Sequence, residues 1–352
     1  MRTAARIVTT AGKATGVPFN CGVAWGRSAQ ELHNARRSCA AGRRARGPSP
    51  VVRSLLGPDM VIRHILVPVD FGEASAEALE LSCELAKKLD AKLTLLHSFH
   101  VPHATYGYAP ALWASEWLTA SQAALQSLAS DTRRRHPATD AVWLEGDPKL
   151  RIIEVAEQRS VDLIVAGTHG GRALSRALVG SVAGRLVRTS PVPLITTAAG
   201  PARASLRPRI HHVLVATDFG EPAQHACAIA CDLASRFDAR VTLVHVLPPA
   251  LPQFGRPMPK EFLPVDAAKG ALGAELERAK RSVLKVDGIL AEGQPRDQIV
   301  RIASERKADM IAMGTHARRG VPRYLLGSVA EAVVRTSDVP VLTTTSETAG
   351  AR

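Results

Sequence analysis

Aromatic residues make up only 4% of this 352-residue chain, and its five cysteines (Cys21, Cys39, Cys83, Cys227 and Cys231) stand at irregular intervals without a single C-x2-C pair. So few cysteines exclude a disulfide framework, and the missing pair excludes a zinc knuckle; a reducing, cytoplasmic setting is the expectation. No run of about eighteen apolar residues occurs, which leaves a membrane-spanning helix nowhere to form. What remains is ordinary: 46% hydrophobic and 22% charged residues, the proportions of globular domains, in a length that suits two of them.

Acidic residues are scarce in one place. Residues 1–59 hold ten Lys or Arg side chains against Glu31 and Asp59 alone, a net of +8 out of the chain's +13. The basicity therefore belongs to a leader and not to a face running through the protein, and nucleic-acid binding is not expected of the rest. The leader has no sustained period of 2 or 3.6, and its stretch AGRRARGPSP is not core material, so disorder is expected. Four origins stay open: an over-extended reading frame with translation starting at Met60, a targeting segment, a basic arm for nucleic acid, or an ordered extension. A secretory signal is not among them, because the continuous apolar stretch it needs is missing.

Beyond Asp59 the chain repeats itself. HILVPVDFGEASAEAL (64–79) aligns with HVLVATDFGEPAQHAC (212–227), and GTHGGRALSRALVGSVAGRLVRTSPVPLITT (167–197) aligns with GTHARRGVPRYLLGSVAEAVVRTSDVPVLTT (314–344), at offsets of 148 and 147. Gly146 and Gly293, and the runs LTLLH and VTLVH, fall between these landmarks, so the duplication spans each unit. The units run from 60 to 197 and from 211 to 345, with 198–210 as an Ala-, Pro- and Arg-rich linker and 346–352 as a tail.

Short Val-, Ile- and Leu-rich runs alternate with longer amphipathic segments in each unit. This pattern fits helices covering both faces of a parallel sheet. In the first unit the strands are expected at 62–69, 92–98, 141–145, 161–166 and 192–197. Residues 74–89 place Ala74, Ala78, Leu81, Leu85 and Leu89 on one helical face, with acids near the start and lysines near the end, as the helix dipole favours. The expected fold class is α/β: two Rossmann-like, doubly wound parallel sheets of five strands each. The units are expected to pair about a pseudo-twofold axis through Val192–Thr197 and Val339–Thr344.

In an open parallel sheet, ligands bind beyond the carboxyl ends of the strands where strand order reverses, so residues after the first and fourth strands come first. Asp70 and Gly167 stand there. Gly167-x2-Gly170-x9-Gly180-Ser181 has the parts of an anion cradle, with glycines for close backbone approach and a helix N-terminus with free amides. The donors are the Ser181 hydroxyl and the amides of Ser181 and Val182, with Arg172 as an added cation. The alternative is a tight turn that binds nothing.

These residues resemble the universal stress proteins, whose nucleotide-binding members carry the spacing G-x2-G-x9-G-(S/T). The resemblance covers both units and includes VPVD and ATD, the strands holding His97 and His245, and the GSVA helix start. It implies an adenine nucleotide alpha hydrolase-like fold and ATP, with or without Mg²⁺, as ligand. It also implies nucleoside contacts at Pro68, Asp70 and Ser98 in the first unit and at Ala216, Asp218 and Val246 in the second. The second cradle reads Gly314-x2-Ala317-x9-Gly327-Ser328, followed by Val329, with alanine where the pattern has glycine. If that position needs a positive φ, the β-carbon costs about 1–2 kcal/mol, a ten- to thirty-fold loss of affinity, which Arg318 and Arg319 could offset.

The expected function is a tandem regulatory module in the stress response that binds ATP or another adenine nucleotide, as an intrachain pseudo-dimer and with a homodimer as a further assembly. Two alternatives are a slow ATP-hydrolysing enzyme and a structural stress protein without nucleotide. Hydrolysis has little support, because the chain lacks a G-x4-G-K-(S/T) loop and shows no second carboxylate near the cradle. His97-x2-His100-x2-His103 follows a strand into a loop and is not expected to converge on a metal. Cys227 and Cys231 are expected as small core residues, and Trp113 and Trp117 as packing on their own sheet face.

Overall fold

The structure, a computed structural model, describes residues 7–9, 61–99, 110–168, 180–198, 210–249, 264–315 and 327–345. The first unit runs β2 (His64–Pro68), α1 (Glu73–Leu89), β3 (Lys92–Phe99), α2 (Pro110–Arg135), β4 (Thr139–Glu145), α3 (Pro148–Gln158), β5 (Leu163–Gly167), α4 (Ser181–Thr189) and β6 (Leu194–Thr197). The second repeats it as β7 (His212–Ala216), α5 (Glu221–Phe237), β8 (Arg240–Leu247), α6 (Val265–Ala279), β9 (Val286–Glu292), α7 (Pro295–Glu305), β10 (Met310–Gly314), α8 (Ser328–Thr336) and β11 (Val341–Thr344). Of the leader, only β1 (Ile7–Thr9) is described; it lies parallel to β9, with Val8 opposite Ile289.

Alternation of side chains divides the core into two layers. Ile65 and Val67 of β2 and Leu163 and Val165 of β5 face a cluster with α1, α2, α5 and α6. Leu66, Ile164 and Ala166 face the opposite cluster with α3, α4, α7 and α8. Both faces of each central strand are therefore buried, which is why these strands read as unbroken apolar runs. Helix α1 buries the face expected of it, carries Glu73 in its first turn and Lys87 and Lys88 in its last, and stops at Asp90 in the left-handed region at φ 54°. Helix α5 copies that ending at Asp238, φ 52°.

Strand order is β4-β3-β2-β5-β6 in the first unit and β9-β8-β7-β10-β11 in the second, so order reverses between β2 and β5 and between β7 and β10. Each unit holds the five-stranded, doubly wound parallel arrangement expected of it, and the two are joined edge to edge. Their last strands pair antiparallel, Leu342 of β11 opposite Ile195 of β6, and the result is one continuous sheet of eleven strands. The pairing uses the strands expected at the pseudo-twofold. Thr196 and Thr343 hydroxyls donate across it to the carbonyls of Val341 (3.4 Å) and Leu194 (3.3 Å), and the Lys88 ammonium lies 5.7 Å from the Phe237 ring centre of the other unit.

Trp117 corrects one expectation, being 61% exposed, while the side chain of Trp113 lies outside the described residues. Helix α2 is 26 residues long, and Leu125 is the first fully buried residue among its described side chains, so its early turns overhang the sheet. Cys227 and Cys231 are buried on α5 as core residues.

The repeats differ sharply at one core position. Glu275 stands where the first unit has Leu128, 147 residues earlier, and is 2% exposed with no hydrogen-bond partner of normal geometry on either carboxyl oxygen. Burial pushes its pKa above the ordinary 4.5, with Thr217 and Arg278 pulling weakly the other way and Asp218 adding to the rise. The folded state thus holds this proton more tightly than the unfolded chain, and stability is lost as pH rises through the ordinary value and beyond it. Glu275→Leu is expected to raise the thermal unfolding midpoint at pH 7 by the equivalent of about 1–3 kcal/mol, and by less at pH 4. Unfolding scans of both proteins at the two pH values check this; an equal shift at both would contradict the assigned cause.

Candidate functional site

Where order reverses, the connection leaving β2 turns to one face of the sheet and that leaving β5 turns to the other. The gap between them is a cavity of about 210 Å³. Its wall includes Pro68, Asp70, Ser98, Gly167, Gly180, Ser181 and Val182, so the structure gathers every described first-unit candidate into one place. Gly170 and Arg172 lie outside the described residues. His97, Pro148, Ile152 and Thr168 also line the cavity and were not anticipated. Pro148 and Ile152 come from α3, whose approach depends on tertiary packing and leaves no local mark in the sequence.

Each motif glycine has a local reason. A β-carbon on Gly167 would fall 2.7 Å from the Ala74 carbonyl carbon, and one on Gly314 the same distance from the Ala223 amide nitrogen, because α1 and α5 cross directly over the ends of β5 and β10. A β-carbon on Gly327 would overlap the Thr315 carbonyl oxygen. The first and last glycines of the motif therefore serve packing as well as any ligand, a role the spacing alone does not reveal. The loop ends are tied together: Thr168 N–H donates to Thr197 O (2.7 Å) and Gly180 N–H to Thr168 O (2.7 Å). Thr315 and Gly327 repeat this at 2.9 and 3.0 Å.

The Gly180 amide is thus spent within the protein. The first backbone bond of α4 runs from Gly184 N–H to Gly180 O, so the amides of Ser181 and Val182 belong to the turn that a helix leaves unpaired. Among the described residues no side chain caps this end or the equivalent end of α8, which opens at Ser328 and Val329; the N-cap residue of each is a glycine, Gly180 and Gly327. Across the cavity, Asp70 Oδ1 accepts from Gly72 N–H at 2.9 Å, leaving its other oxygen without a partner among the described residues. The Ser98 hydroxyl donates to Gly146 O at 2.8 Å and so serves the turn after β4. Gly146 and Gly293 hold φ 134° and 133°, which side chains rarely adopt, so the shared glycine is a backbone requirement.

In the second unit Ala216 ends β7, Asp218 follows two residues later with Oδ1 accepting from Gly220 N–H (2.9 Å), and Val246 lies on β8. Gly314 ends β10, and Gly327 precedes Ser328 and Val329 at the head of α8. Ala317, with Arg318 and Arg319, lies outside the described residues.

His97 Nδ1–H donates to the Val69 carbonyl at 2.7 Å, and His100 and His103 lie outside the described residues. Among the described residues no group of three His, Cys, Asp or Glu suits a metal ion, and no helix is long and apolar enough to cross a membrane.

Comparison with known proteins agrees with the repeat. The pattern of the universal stress protein family matches residues 62–197 and again 209–344. A universal stress protein of Methanocaldococcus jannaschii is 33% identical over 135 residues, covering 37% of this chain and 79% of that one. One of Thermus aquaticus is 32% identical over 139 residues, 37% of this chain and 95% of the other. Among solved structures, a universal stress protein of Archaeoglobus fulgidus superposes with a TM-score of 0.62 at 22% identity, over 82% of this chain and 98% of its own, which shows a shared fold. With the family pattern matched twice over the two repeats, this chain belongs to the universal stress protein family.

Proposed function

We propose that the chain is a tandem module that binds ATP or another adenine nucleotide. The observation that carries this reading is the cavity at the strand-order reversal, whose wall holds an uncapped helix N-terminus and a carboxylate with one oxygen to spare. Phosphate oxygens would meet the Ser181 and Val182 amides and the Ser181 hydroxyl, where the positive end of α4 favours negative charge. Gly170 and Arg172 would complete that cradle. Asp70 would accept a ribose hydroxyl, with Pro68 and Ser98 beside the nucleoside.

The second unit offers Ala216, Asp218 and Val246 for the nucleoside and Gly314, Ala317, Gly327, Ser328 and Val329 for the phosphates. Asp70 is the one carboxylate among the described residues of the first cavity wall. Mg²⁺ would therefore be held mainly by the nucleotide's own phosphates. That donor set supports binding and regulation over turnover.

Calorimetric titration of the full chain with ATP is expected to give about one tight equivalent, the second site being weakened by Ala317. Gly170→Val is expected to remove that equivalent, and an unchanged stoichiometry would overturn the cradle. Ala317→Gly is expected to bring in a second equivalent by tightening the other site roughly ten- to thirty-fold; a titration identical to the wild type would show that this position does not need a positive φ.

A further inference from the structure

The two units have diverged at several matched positions. Ser98 is matched by Val246, Pro68 by Ala216, Val69 by Thr217 and Leu128 by Glu275. One arrangement survives all of these changes. Phe71 and Phe219, each directly after the aspartate, adopt left-handed backbone at φ 62° and 65°. Glycine takes that conformation at no steric cost, so the backbone does not select phenylalanine there. Burial does not select it in the first unit either, where Phe71 is 45% exposed, although Phe219 packs half-buried against the core.

The ring has a partner instead. Phe71 packs on His97 with ring centres 4.7 Å apart, and Phe219 on His245 at 4.4 Å. The same imidazoles donate from Nδ1–H to the residue before the aspartate, to the Val69 carbonyl and to the Thr217 carbonyl, both at 2.7 Å. The aspartate's Oδ1 holds the amide of Gly72 or Gly220 at 2.9 Å. One histidine therefore grips the chain on both sides of the aspartate, and the aspartate closes the turn itself.

We infer that His97 with Phe71, and His245 with Phe219, are positioning residues: each pair fixes the turn so that the second carboxylate oxygen of Asp70 or Asp218 is presented to a hydroxyl group of the bound ligand. The inference rests on the nucleotide reading of the cavity and adds to it the device that sets recognition of the sugar. An aspartate on a free strand-to-helix turn would sample several orientations. The clamp removes that freedom before the ligand arrives, which favours binding of ligands that carry the hydroxyl.

The test uses the full chain with both units changed together, and the probes ATP and 2′,3′-dideoxy-ATP. The wild type is expected to prefer ATP by roughly ten-fold, the worth of a hydrogen bond to a charged group. Phe71→Gly with Phe219→Gly is expected to lose most of that preference by weakening ATP alone, while the unfolding midpoint is kept or raised because the backbone strain is relieved. Phe71→Tyr with Phe219→Tyr is expected to retain the preference, and His97→Phe with His245→Phe to lose it. Glycine variants that keep the wild-type preference, or that lose both nucleotides equally along with thermal stability, would overturn the inference while leaving the nucleotide reading intact. A wild type that binds both probes equally well would also overturn it. A wild type that binds neither would remove the nucleotide reading and this inference with it.

Discussion

The site depends on a single topological fact: neighbouring strands β2 and β5 send their chains to opposite faces of the sheet. Right-handed crossovers leave the chain little choice once the strand order is set. With α1 leaving on one side and α4 on the other, a cavity is left above the two strand ends among the described residues. The consequences reach into residue choice. Gly167 must lack a β-carbon because α1 crosses directly above it, and Gly180 spends its amide closing the loop onto Thr168. The next amides along the helix then have no partner among the described residues.

Much of this was legible in the sequence because the chain states it twice. Alignment of the repeats located the strands, the helix at 74–89 and the G-x2-G-x9-G-S spacing, and the described first-unit residues chosen from that spacing converge on one cavity. The parts that stayed hidden depend on distances between segments far apart in sequence. Pro148 and Ile152 reach the cavity because α3 packs against β3 and α4, which no local pattern encodes. His97 was legible as one of three spaced histidines and as a mark of the repeated second strand, whereas its bond to the Val69 carbonyl arises from the register of β3 against β2. The continuous sheet was half visible: the strands that pair were named, but their edge-to-edge hydrogen bonding was not. Trp117 was misplaced because amphipathic reasoning does not tell how far a helix extends past the sheet it covers.

Comparison of the two halves separates what the fold demands from what it tolerates. Demanded features recur: the glycines under α1 and α5, the left-handed Asp90 and Asp238, the glycines at 146 and 293, and the histidine clamp. Tolerated features drift, and they drift in company. Val69 and Leu128 in one unit become Thr217 and Glu275 in the other, so two apolar positions of this layer have become polar, and both polar residues are buried. The duplicated core absorbs an unpaired carboxyl that a single small domain would carry with far less stability in reserve.

The antiparallel meeting of β6 and β11 carries a consequence for assembly. Two such units made as separate chains would find each other by diffusion, and at low abundance each would be left with a bare terminal strand, open to any passing β-edge. Here the tether keeps the second half at an effective concentration in the millimolar range whatever the amount of protein made. Dilution does not pull the halves apart, and the geometry relating one hollow to the other is inherited with the polypeptide instead of being chosen anew by each encounter.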